Sequence, residues 1–197
     1  MRTYFDKLLK TMTHPRFLSG EAAGAETPFY ICPYPIEKSV EMDETVEMLA
    51  RKLEEEGVVP LKIDLFKLMI STMKENDDLD WTIDHEHEQT FYELRDDMHS
   101  ILEEESVIAP QIAKILSDAG PCDRRVIFIT NVGACYPVIR AHKLLNNLPS
   151  ITKRTPLVMF FPGEYCQIPG SGASLSLFGK LPGDGYYRAF NILEAQL

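Results

Sequence analysis

Apolar positions along the 197-residue chain follow two rhythms. Between residues 2 and 12, Tyr4, Phe5, Leu8, Leu9 and Met12 recur every three or four residues, which predicts a helix with one apolar face. The His14-Pro15 step ends it, because a residue before proline avoids the α region. Phe17 to Thr27 reads as a Gly- and Ala-rich loop. Pro28 to Cys32 is a short apolar run, read as a strand, and Pro33 and Pro35 then remove ladder donors. Val40 to Glu56 predicts a helix with Val46, Leu49, Ala50 and Leu53 inward and Gly57 as its stop. A second strand over Val58 to Leu65 and a helix over Phe66 to Met73 complete the first half.

Residues 76–106 are rich in Asp and Glu. Phe91, Leu94, Met98, Ile101 and Leu102 keep helical spacing within that stretch, so it predicts a loop and then one amphipathic helix with a solvated acidic face. Ile108 to Ala119 continues helically until Gly120-Pro121. Arg125 to Thr130 is the clearest buried strand, and near-continuous apolar runs of this kind suit a parallel sheet covered on both faces. After the Asn131-Val132-Gly133 turn, Pro137 suits a first helical position and predicts a helix from Pro137 to Leu148. Pro156 to Phe161 and Leu175 to Leu181 read as strands, and Tyr186 to Leu193 closes the chain. Strands alternating with helices predict a single α/β domain over residues 1–197. Its expected form is a three-layer, mostly parallel sheet with helices on both faces, Rossmann-like or degenerate P-loop-like.

Composition narrows the classes. An apolar fraction of 45% with 25% charged residues is that of a globular chain. No apolar run approaches the roughly 18 residues of a membrane span, and Met1 to Lys7 lacks the apolar core of a secretory signal. A cytoplasmic protein with no membrane association is expected. Cys32, Cys122, Cys135 and Cys166 form no C-x-x-C pair, so four separate thiols are the simplest reading. The net charge of −10 is uneven: residues 1–120 hold 12 Lys/Arg against 26 Asp/Glu, and residues 121–197 hold 8 against 4. An acidic half repels nucleic-acid phosphates, which disfavours direct DNA binding by the whole surface.

Candidate chemistry is sparse. Lys38-Ser39 stands between a strand and a helix, as in a phosphate loop, but no glycine occurs from Phe29 to Glu56 to let amides curl around phosphates. Asp84-His85-Glu86-His87-Glu88 concentrates metal-ligand types without a metal-binding spacing, and a solvated charge run explains it more simply. No G-x-S-x-G elbow exists, and Cys135 with His142 has no evident orienting carboxylate. Catalytic, metal and cofactor residues are therefore assigned nowhere. Arg140, Lys143 and Asn147 share a helix face at i, i+3, i+7. On the predicted helix Arg140 sits in the first turn, against the dipole, which suggests an anionic partner, internal or external. Asn146 beside Asn147 is a poor helix-forming pair near the helix end. Tyr187 and Arg188 are residue types favoured as interface anchors, although the aromatic tail is equally a candidate for core.

Four ordered blocks carry a resemblance. They are Pro-Arg-Phe-Leu-Ser-Gly from Pro15, the run from Val126 through Tyr136-Pro137 and Ile139-Arg140-Ala141-His142 to Leu145-Asn146-Asn147-Leu148, Pro-Leu-Val-Met-Phe-Phe-Pro-Gly-Glu-Tyr from Pro156, and Leu175 to Phe190. Together they resemble the BrxB family of bacterial phage-exclusion (BREX) systems, with residues 66–120 alike in helical character alone. Cys166 to Ala173 looks longer than the short turn of that family. The resemblance implies a role and no reaction: an adaptor working beside PglZ, foremost among its partners, a site-specific DNA methyltransferase and a large ATPase. It singles out Arg140, His142, Lys143, Asn146 and Asn147 as partner-binding candidates. Two other classes stay open, a nucleotide-binding α/β enzyme with an unrecognised site and a DNA-binding module using the basic C-terminal half.

Overall fold

The computed structural model describes residues 2–23, 27–168, 172–182 and 189–195. Seven strands occur in them: β1 (Phe29–Tyr34), β2 (Val59–Asp64), β3 (Arg125–Thr130), β4 (Leu157–Ile168), β5 (Gly172–Leu177), β6 (Leu181–Pro182) and β7 (Phe190–Asn191). Five run parallel in the order β2-β3-β4-β1-β7. That order is neither the 3-2-1-4-5-6 of dinucleotide-binding sheets nor the 2-1-3-4-5 of flavodoxin-like ones. β4 is long enough to leave the parallel sheet and continue as an antiparallel hairpin with β5, which in turn pairs with β6. Of the segment Cys166 to Ala173, expected as a loop, Cys166 to Ile168 and Gly172 to Ala173 are strand.

Helices α1 (Arg2–Thr13), α2 (Pro15–Leu18) and α3 (Ser39–Glu55) precede β2. Between β2 and β3 come α4 (Leu65–Glu75), α5 (Asp78–His85), α6 (Phe91–Ile101), a π-turn over Glu104–Ile108 and α7 (Ala109–Asp118). The short helices α8 (Ala141–Asn147) and α9 (Pro149–Thr152) lie between β3 and β4. Strand periodicity sorts the core into two layers. Tyr30, Cys32, Val126, Phe128, Val158 and Phe160 join Leu8, Met12, Val46, Leu49 and Leu53 in one cluster. Their alternates Phe29, Ile31, Ile127, Ile129, Leu157, Met159 and Phe161 join Met69, Met73, Ile112, Leu144 and Leu145 in the other. Helices therefore cover both faces, which is why β3 and the first half of β4 read as unbroken apolar runs.

The two edges of the sheet are managed differently. β2, at one edge, alternates little and leaves Val59 45% exposed, but Pro60 and Lys62 make it a poor template for a further strand. α3 ends as its sequence predicts: Gly57 adopts φ +71, and its N–H and that of Val58 bond back to Glu54 and Leu53. The acidic segment departs from expectation. Its single predicted helix is two, α5 and α6, because Asp77 (φ +63) turns the chain before α5 and Thr90 opens α6 with a capping box. There the Thr90 hydroxyl accepts from Glu93 N–H and the Glu93 carboxylate accepts from Thr90 N–H. Among the described residues, no helix is long and apolar enough to cross a membrane.

Candidate functional site

The carboxyl ends of the parallel strands are where such sheets place ligands. Beyond β1, Pro33, Tyr34 and Pro35 with Lys38 and Glu41 line a cavity of 230 Å3. Lys38 Nζ pairs with Glu41 at 3.3 Å, so the lysine that would meet a phosphate is already engaged. Beyond β2 and β3, Asn131 in the left-handed region (φ +57) donates from Nδ2 to Asp64 Oδ2 at 2.9 Å. Burial, with Asp64 nearby, pushes the Cys135 thiol up to about 12, which makes it a packed sulfur.

The polar centre of the molecule lies instead where α6 and the π-turn meet α8. Glu104 is fully buried. Its Oε1 accepts the Arg140 N–H at 2.9 Å, and its Oε2 has no hydrogen-bond partner. His99 bridges the two segments: Nδ1 lies 2.8 Å from the Val138 carbonyl and Nε2 lies 3.2 Å from Lys143 Nζ. Its Nδ1 also lies 4.0 Å from Glu104 Oε2. Beside it, Glu103 caps the π-turn, with Ser106 N–H and Oγ and Glu105 N–H all donating to Oε2. Those bonds, led by Ser106 N–H, hold the Glu103 carboxyl below the usual range, with the Lys143 charge adding to them.

This geometry corrects the reading of Arg140. The helix starts at Ala141 and not at Pro137. Residues 136–138 form a turn with a cis Tyr136–Pro137 peptide, and Arg140 is the N-cap in extended conformation. Arg140 thus lies just outside the first turn, still beside the positive end of the helix. The buried Glu104 carboxyl accepts the Arg140 N–H at the α8 N-terminus. Arg140, His142, Lys143 and Asn147 are half-buried and Asn146 is exposed. Lys143 and Asn147 are joined by an Asn147 Nδ2 bond to the Lys143 carbonyl at 3.0 Å. Tyr187 and Arg188 lie outside the described residues.

Exposed aromatic side chains stand on α6, the helix that carries His99, and on α5. Tyr92, Arg95 and His99 fall at i, i+3, i+7 on one face of α6. The Arg95 guanidinium lies 5.3 Å from the Tyr92 ring centroid and bonds Asp96. Phe91 packs edge-on to Tyr92, and both are about two-thirds exposed, at 65% and 67%. On α5, Trp81 stacks on His85 at 4.5 Å, with Trp81 and Ile83 exposed. The same helices and the turn between them carry the exposed acids Asp80, Asp84, Glu86, Glu88, Asp96 and Asp97. Phe91 was expected inward, yet it stands outside, while Leu102, Met98 and Ile101 carry the contact with the core. The His85–Glu88 run is solvated, and among the described residues no group of three metal-ligand side chains converges.

Sequence reasoning missed Glu104, His99 and the aromatic surface. Glu104 reads as one acid among many, and no local signal marks its burial. Trp81, Phe91 and Tyr92 are visible as aromatics in an acidic segment, but a helical period assigns such residues to the core by default.

What fold and site define is a three-layer α/β protein whose long β2–β3 crossover carries an aromatic, acid-rimmed outer face tied to a buried carboxylate. The family model described as "BREX protein BrxB" matches residues 61–192, the part that contains this crossover, α8 and β4. A protein of the same description from Bacillus cereus (strain H3081.97) is 30% identical over 190 residues, 96% of this chain and 95% of the relative. One from Escherichia coli O9:H4 (strain HS) is 28% identical over 178 residues, 90% of this chain and 84% of the relative. The chain belongs to the BrxB family and is a component of the BREX system. No solved structure matches it.

Proposed function

We propose that this protein is a non-enzymatic assembly component of BREX, which holds a second component through the outer face of α5 and α6 continued by Lys143 and Asn147 on α8. One observation carries the reading: Trp81, Ile83, Phe91 and Tyr92 are all exposed on two neighbouring helices. Aromatic and Arg side chains are the residues in which binding energy concentrates, and a soluble chain rarely leaves such a cluster uncovered without use for it. The acidic rim suits a partner with Lys and Arg around an apolar centre. PglZ is the first partner to test, with the methyltransferase and the large ATPase next. The test is co-purification of the tagged full chain with each BREX component, wild type against the Phe91→Ala/Tyr92→Ala double variant. Loss of two anchors lowers affinity by about 2–4 kcal/mol, roughly 30-fold or more, and both rings are exposed, so the melting temperature holds. Retention of every partner at wild-type level by the double variant refutes this face as the contact.

A further inference from the structure

Four of the eight Lys and Arg of residues 121–197 stand at one place. Where β3 and β4 begin, at the amino end of the sheet, a cleft of 670 Å3 is lined by Arg124, Arg125, Lys153 and Arg154, together with Asp123 and Cys122. The parallel register explains the gathering. Ile127 lies opposite Leu157, so three residues earlier Arg124 is level with Arg154, and two dibasic steps from distant parts of the sequence meet.

None of the four cations pairs with a carboxylate among the described residues. Two are held in place by backbone carbonyls. Arg124 donates from Nε to Gly57 and from Nη2 to Glu56, at 2.9 and 3.1 Å. Arg125 is 8% exposed and donates to the Gly120 and Ala119 carbonyls at the end of α7. Its Nε, also buried, finds no acceptor. Arg154 and Lys153 are exposed across the opening, and Leu18 and Pro156 supply an apolar wall. Four cations against the one carboxylate of Asp123 leave a local excess of three positive charges (4 − 1).

We propose that this cleft binds a phosphate-bearing ligand of nucleotide size. A single carboxylate cannot balance three charges, whereas a phosphomonoester or diphosphate carries about two to three. The carbonyls fix the Arg124 and Arg125 charges at the cleft wall, and the exposed Lys153 and Arg154 supply N–H donors of the kind that match phosphate oxygens. The volume lies in the range of small-molecule sites, about 300–1,000 Å3. A compact anion is favoured over a long duplex, because a chain of net charge −10 repels an extended polyanion while a short ligand sees mainly the local cations within about 8–10 Å.

The probes are pyrophosphate and AMP, titrated calorimetrically into the full-length protein in buffers matched for ionic strength with NaCl. Saturable binding is expected, at least tenfold weaker in Lys153→Gln/Arg154→Gln, which removes two exposed charges and spares the Arg125 cap. Alkylation of Cys122 should slow on adding pyrophosphate, while that of exposed Cys166 should not. A single-stranded oligonucleotide arm distinguishes the source: tighter binding than AMP assigns the phosphates to a nucleic-acid strand, and weaker binding assigns them to a free phosphate ester. No saturable binding of either probe, binding unchanged in the double variant, or tighter binding of a polyglutamate peptide than of pyrophosphate would each overturn the proposal.

Discussion

Replacing Glu104 by alanine tests how the polar centre is held together. The substitution deletes the acceptor of the 2.9 Å bond from Arg140 N–H and leaves that buried amide without a partner, a loss of about 1–3 kcal/mol. It also removes one buried methylene, about 0.8 kcal/mol. Against this, Oε2, which makes no hydrogen bond and has His99 Nδ1 at 4.0 Å, no longer has to be kept from water, a relief on the order of 1 kcal/mol. The net expectation is a destabilisation of about 2 kcal/mol, or about 4–8 °C in melting temperature for a chain of this size. Glu104→Gln keeps the volume and the accepting oxygen and exchanges one partnerless atom for another, so its loss should be less than half as large. Thermal denaturation by circular dichroism at pH 7 measures both. Amide exchange at Arg140 localises the effect, which should quicken in the alanine variant and stay slow in the glutamine variant. If Glu104→Ala melts at or above the wild-type temperature, burial of the carboxylate costs more than the Arg140 bond returns, and the reasoning fails.

Thr90→Ala removes one half of the α6 capping box and should cost about 1 kcal/mol by urea denaturation. The Thr90 hydroxyl bond to the Glu93 carboxylate, which with the Thr90 N–H holds that carboxyl below its usual value of 4.5, is also lost, so that part of the deficit is present above that pH and fades as pH falls through the folded value, while the part from the Glu93 N–H bond to the hydroxyl stays; a variant deficit that grows on acidification refutes the link. Cys32 and Cys135 are buried, with thiols pushed up to about 12 by burial, so iodoacetamide at pH 8 should label Cys166 and then Cys122 in the native protein and reach the other two on unfolding. Clean protein should show no steady-state ATP hydrolysis, given two prolines at the β1 exit and the Lys38–Glu41 pair; turnover abolished by Lys38→Ala would contradict this.

Much of the frame was legible because it rests on local pattern. β3 is buried on both sides, so its apolar run could hardly mean anything else, and α3 announces its inner stripe and its Gly57 stop. Thr90-x-x-Glu93 was also readable as a helix start, although the acidic composition around it masked the break between α5 and α6. What stayed hidden depends on position in space. Periodicity assigns every acid to solvent, so it cannot show that Glu104 alone in its run turns inward. It assigns the Phe91 ring to the core because it cannot see that α6 buries Met98, Ile101 and Leu102 and leaves its first turn outside. Proline at a first helical position was a sound signal at Pro137, but the Arg140 N–H is claimed by Glu104 from another segment, and the helix starts four residues later.

The charge asymmetry shows the same divide most sharply. Eight Lys and Arg in the last 77 residues could be counted from the chain, yet their count says nothing of where they meet. Arg124-Arg125 stands at the very start of β3 and Lys153-Arg154 a few residues before β4, and neither dibasic step is marked by its sequence as part of a site. They become one feature solely because β3 and β4 are adjacent and parallel with Ile127 opposite Leu157. A parallel sheet aligns the starts of its strands, so equal offsets in sequence become neighbours in space, and an antiparallel pairing of the same two strands would have sent the two dibasic steps to opposite ends.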